Sequence, residues 1–146
     1  MMSLLRSIRR TLETSSQERQ QHEPALAIAV LMIELMRMDG HEHDCELTRL
    51  RSLLQQRLGL DDMQVHKLIE RARHEANMAL DIQQFTRAIV AELNTEERIG
   101  MLADLWRLAW ADQHLDPQEE QLLRRIGELL GLSHRQFIQA KLTADS

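Results

Sequence analysis

Seven of the nine residues in MDGHEHDCE, residues 38–46, carry side chains able to hold a metal ion: Asp39, His41, Glu42, His43, Asp44, Cys45 and Glu46. A second stretch, ADQHLDPQE, residues 111–119, repeats part of the pattern, with Asp112 for Asp39, His114 for His41 and Glu119 for Glu46, each 73 positions later. Clustered carboxylates suit a hard cation such as Ca2+, Mg2+ or Mn2+. Two carboxylates seven residues apart do not fill a calcium shell of six to eight oxygens, so Asp39 and Glu46 need Asp112 and Glu119, backbone carbonyls or water beside them. The spacing is not that of an EF-hand, whose ligands spread over twelve residues with glycine at the sixth. His41, Glu42, His43 and Cys45 offer zinc the nitrogen and sulfur it prefers. They lack any paired Cys-x-x-Cys or His-x-x-x-His, and His43 and Cys45 have no counterpart in the second stretch.

Helix capping explains the same glutamates without a metal. Glu119 follows Asp116 by three residues, where its carboxylate can accept from a free backbone N–H and meet the positive end of the helix dipole, and Glu46 occupies the same place in the first copy. Asp39 and Asp112 instead close apolar helices, where a negative charge is unfavourable by ~0.3–1 kcal/mol and calls for a partner. Enzyme chemistry finds no support: there is no glycine-rich phosphate loop, Ser-His-Asp pattern or helical metalloprotease motif, and Cys45 has only adjacent histidines to activate it.

The elements that position these loops read as helices throughout. Leu, Ala, Arg, Gln and Glu dominate, and strand signals are almost absent. Asp61 with Gln64, Asn94 with Glu97, Asp116 with Glu119 and Ser133 with Gln136 fit an N-cap followed three residues on by Glu or Gln. Gly40, Gly59 and Gly131 each follow an apolar-periodic stretch, as helix-ending glycines do. Seven or eight helices are expected, at 3–14, 24–39, 45–58, 62–78, 82–92, 95–112, 117–130 and 134–143. Residues 25–38 and 99–111 are apolar on nearly every face, so these two helices must be surrounded by the others. Trp106 and Trp110 should anchor the core beside Leu102 and Leu105, with Met32, Met36 and Met101 as filler. His22, His66, His74, His114 and His134 read as surface residues.

A chain of 146 residues is the size of one domain, within which residues 24–146 form the helical unit and residues 1–23 a basic amphipathic helix and hinge. The formal net charge of −5 gives no general pull toward nucleic acid. One cysteine and no evident secretory leader point to the cytoplasm. The longest apolar run, ALAIAVLMI at residues 25–33, is far short of the roughly 20 residues that cross a bilayer. In the first segment Leu4, Leu5, Ile8 and Leu12 make a stripe with Arg6, Arg9 and Arg10 around it, a pattern that suits peripheral contact with an anionic membrane, docking on the chain's own bundle, or a protein partner.

The order "buried helix, acidic loop, amphipathic helix, Gly-Leu turn, capped helix" occurs twice, over about residues 25–69 and 98–142. Two such units packed across a pseudo-twofold axis bury what one alone cannot. This doubled pattern resembles the tellurite-resistance protein TerB family of bacterial helical domains. The closer copy is ERIGMLADLWRLAWADQHLDPQEEQLLRRIGELLGLSHRQFIQAKL, residues 97–142, and QFTRAIVAEL, residues 84–93, lies where stand-alone members carry a connecting helix. The resemblance spans about residues 25–142. It implies an all-α, TerB-like bundle of seven or eight helices built from two pseudo-twofold-related repeats, without enzymatic activity. It further implies a divalent cation held by Asp39, Glu46, Asp112 and Glu119, and a part in the response to tellurite and similar stresses. The first copy departs from the family at Glu42, where an apolar residue is usual, and at His43; the second departs at Gln113, which replaces a glycine. The alternative is a protein–protein interaction module whose carboxylates only cap helices.

Overall fold

A computed structural model describes residues 23–38, 44–111 and 115–145. These form seven helices and no strand: α1 (Pro24–Met36), α2 (Asp44–Leu58), α3 (Asp62–Met78), α4 (Gln83–Glu92), α5 (Thr95–Ala109), α6 (Pro117–Leu129) and α7 (His134–Asp145). The all-α expectation is met. The helix expected at 3–14 and the stop at Gly40 lie outside the described residues. The other boundaries agree to within three residues. The largest differences are at the ends of the two apolar helices: α1 stops at Met36 and α5 at Ala109, each followed by two residues of turn.

All four expected capping boxes form. Asp61 and Gln64, Asn94 and Glu97, and Asp116 and Glu119 pair reciprocally at the starts of α3, α5 and α6, and Ser133 pairs with Gln136 before α7. Each satisfies donors that the first helical turn leaves open. At the other end, α2 and α6 finish on Gly59 and Gly131 with φ of 68° and 74°, a left-handed conformation that side chains with a Cβ disfavour. The N–H of the next leucine then returns to the carbonyl five residues back, Leu60 to Gln55 and Leu132 to Gly127. Both leucines fold inward and are buried. Arg98 adds a donor to the Leu130 carbonyl, placing a cation at the negative end of α6.

The two apolar helices are the centre of the bundle. Every residue of α1 except Glu34 is buried, and the helix touches α2, α3, α4, α5 and α6. Helix α5 packs most extensively on α7 and also meets α1, α2 and α6. Met32, Met36, Met101, Leu102, Leu105 and Trp106 are all enclosed, as the apolar pattern required. Each fully buried Leu or Met stabilises the fold by roughly 1.5–3 kcal/mol relative to exposure. Trp110 is less central than expected: it follows α5, is only partly buried, and meets Trp106 edge-on at 5.7 Å.

Candidate functional site

Of the four carboxylates singled out in the acidic loops, Asp39 and Asp112 lie outside the described residues, as do His41, Glu42, His43 and His114. Glu46 and Glu119 are well placed. Each is the third residue of its helix, α2 and α6, and each is buried, to 2% and 3% exposure. The remaining zinc candidate, Cys45, is an exposed free thiol. Among the described residues no three His, Cys, Asp or Glu side chains gather into a cluster fit for an ion.

Comparison among the capping boxes separates Glu119 from its analogues. The side-chain oxygens of Gln64, Glu97 and Gln136 accept from their cap N–H at 3.0, 2.9 and 2.8 Å, and all three residues are half-buried. Glu119 Oε1 accepts from Asp116 N at 3.4 Å. The most deeply buried of these residues therefore makes the longest cap. Capping uses one oxygen, and the Glu119 carboxylate has a further partner in the fold besides Asp116.

The composition of α5 concealed one polar centre. Asp104, 3% exposed, lies in the middle of this otherwise apolar helix. Its Oδ2 accepts from Arg57 Nε of α2 at 2.7 Å and its Oδ1 from Arg107 Nη1 at 2.8 Å. Arg57 also donates to the Gly100 carbonyl at 3.1 Å, and Arg107 to the Thr143 carbonyl of α7 at 3.2 Å. One carboxylate thus ties α2, α5 and α7 together with its charge paired, as a buried carboxylate must be. The signal was present in the sequence: Asp104 is the sole acid between residues 99 and 111, with Arg107 three positions on.

Two concavities lie elsewhere. The larger, about 730 Å³ and shallow, runs along the outer face of α7 beside Ile138 and Leu142. The smaller, about 240 Å³, is a half-open groove between α1, the α3–α4 turn, α4 and α6, with Glu34, Leu80, Ile82, Phe85, Leu122 and Arg125 among its lining. Burial pushes the Glu34 carboxyl above its ordinary range, and the charge of Arg37 offsets part of that effect. In the core, Trp106 meets Phe137 edge-on at 5.5 Å with the Lys141 ammonium 5.3 Å from its ring centre. Its buried indole N–H has no acceptor among the described residues.

No described helix is long and apolar enough to cross a membrane. Searches of curated proteins and of solved structures give no significant match. The sequence model of one family, Tellurite resistance protein TerB, matches residues 25–142, the stretch that holds all seven helices but for the first residue of α1 and the end of α7. With most of its length so matched, the chain belongs to the TerB family of tellurite-resistance proteins.

Proposed function

We propose that this chain is a non-enzymatic TerB domain that takes up a divalent cation, Ca2+, Mg2+ or Mn2+, through Asp39, Glu46, Asp112 and Glu119, and acts in a tellurite-type stress response. One observation carries this: two glutamates at matching places in the repeated pattern, each in the first turn of its helix, are both almost fully buried. Both glutamates have partners within the fold, and carboxylates at matching helix starts are the oxygen ligands that a hard cation prefers. The duplication belongs to the proposal too, since two loops from equivalent halves supply more oxygens than either alone.

The second reading, an interaction module with structural carboxylates, draws on the fact that Asp116 and Glu119 do form a reciprocal cap. Glu119→Gln separates the two. Glutamine serves the same cap in α3 and α7, so the substitution keeps the capping geometry and removes the charge. Calcium or manganese is titrated into wild type and Glu119→Gln while Trp110 fluorescence is followed, with thermal unfolding as a control for folding. A saturable response in wild type that is lost in the folded variant supports cation binding. No response in wild type, or an equal response in both, favours the capping module.

A further inference from the structure

Helix α7 turns Phe137, Ala140 and Ala144 to the core and lays Lys141 over the Trp106 ring of α5. About a third of a turn away from that face, Arg135, Ile138, Leu142 and Asp145 make a second stripe within an arc of about 80° of the helix. The shallow concavity of about 730 Å³ follows the first three of them, and Leu142 is 64% exposed. Breadth without depth suits the side of another helix better than a small molecule, which is held in a cleft. The surface is also fixed in place: Thr143 Oγ1 donates to the Gln139 carbonyl at 2.8 Å, and the Thr143 carbonyl accepts from Arg107 at 3.2 Å. At the two ends of the stripe, Arg135 and Asp145 are exposed and have no partner among the described residues.

We infer that this face docks a second copy of the chain, the two α7 helices running antiparallel across a twofold axis at position 140. Ile138 and Leu142 are symmetric about that position, and so are Arg135 and Asp145. A twofold contact is self-complementary. Ile138 of each copy therefore meets Leu142 of the other, and Arg135 of each meets Asp145 of the other. The apolar pairs are then covered at the middle while both ion pairs stand at the rim, as in specific interfaces generally. A parallel pairing would instead set arginine on arginine and aspartate on aspartate. With α7 about 18 Å long, the contact is small and the dimer weak. It shares no residue with the acidic loops, so it stands independently of cation binding.

The test is sedimentation velocity of the full chain from about 10 µM to about 1 mM, where weak dimers form, with a reductant present because Cys45 is an exposed thiol. Wild type should pass from monomer to dimer over this range. Leu142→Glu, at an exposed position, should abolish the dimer while leaving the circular dichroism unchanged. Arg135→Asp and Asp145→Arg each place like charges opposite one another at two symmetric points and should weaken association about tenfold. Neither endangers the fold, since each puts a charge at the helix end that its dipole favours. Combining the two substitutions in one chain restores opposite charges and should return the wild-type dissociation constant. A wild type that stays monomeric at about 1 mM overturns the proposal. So does a dimer that survives Leu142→Glu, or a double charge exchange that fails to recover.

Discussion

Arg57 and Asp104, 47 positions apart in sequence, meet at 2.7 Å between Nε and Oδ2, a partly buried ion pair that joins the acidic-loop helix α2 to the central helix α5. The two arginines on Asp104 keep about a quarter of their side-chain surface in water while the carboxylate keeps 5%. Water therefore helps the cations more than the anion, and the anion depends on its partners.

Asp104→Asn preserves shape but leaves two guanidinium groups facing a neutral amide. Removing one member of a buried pair costs about 3–5 kcal/mol, and partial exposure of the arginines should lower this to about 2 kcal/mol. Urea unfolding followed by circular dichroism checks it through a lower midpoint at unchanged slope. A variant as stable as wild type would show that Asp104 contributes no net stability.

Glu34 gives a pH signature of opposite sign to that of most acids. Burial raises its folded-state pKa above the ordinary 4.5, so the folded protein holds this proton more tightly than the unfolded chain. Its contribution is fully present below pH 4.5 and is lost as pH rises through the folded value. Glu34→Gln should thus be the more stable protein at pH 7, with the gap closing on acidification below the ordinary value. Paired denaturation curves at several pH values measure it, and a gap independent of pH would contradict the burial of this carboxyl.

Gly127→Ala tests packing against propensity. Alanine in a helix interior gains about 1 kcal/mol over glycine. Here a Cβ would lie 3.0 Å from Phe137 Cδ1 and 3.5 Å from Leu102 Cδ2, and the buried Phe137 ring is already set against Trp106. Overpacking of this kind costs ~1–3 kcal/mol, so a net loss of about 1 kcal/mol is expected in the unfolding midpoint.

The two left-handed glycines should respond unequally to alanine. Both substitutions carry the conformational penalty of about 1–2 kcal/mol. A Cβ at Gly59 meets nothing within 4 Å, whereas at Gly131 it meets Arg98 Nη1 at 3.3 Å and disturbs the donor to Leu130. Gly131→Ala should therefore melt lower than Gly59→Ala by calorimetry. Equal melting points would mean that Arg98 moves aside without loss.

Caps, glycine stops and the two enclosed helices were legible in the sequence because each is a local rule: an oxygen three residues ahead of a free N–H, a residue without Cβ at a left-handed turn, a helix with no polar side. Asp104 was not read as a buried anchor because its first partner, Arg57, comes from a helix that local spacing does not link to it. Glu34 escaped notice for a related reason, since its surroundings are set by the α3–α4 turn and α6, remote in sequence. The burial of Glu46 and Glu119 also depends on tertiary packing. Spacing alone made them equally good as caps and as ligands.

The enclosure of α1 also bears on how the chain is made. Among the described helices this most apolar one is synthesised before the others, and the start of α5, the second central helix, follows roughly 60 residues behind it. At about 5–20 residues per second, several seconds pass before that neighbour leaves the ribosome. During this interval Ile28, Leu31 and Ile33 can be covered only by the early helices or by a cellular holding factor. Nascent-chain yield should therefore be more sensitive to translation speed between residues 36 and 95 than to speed anywhere downstream.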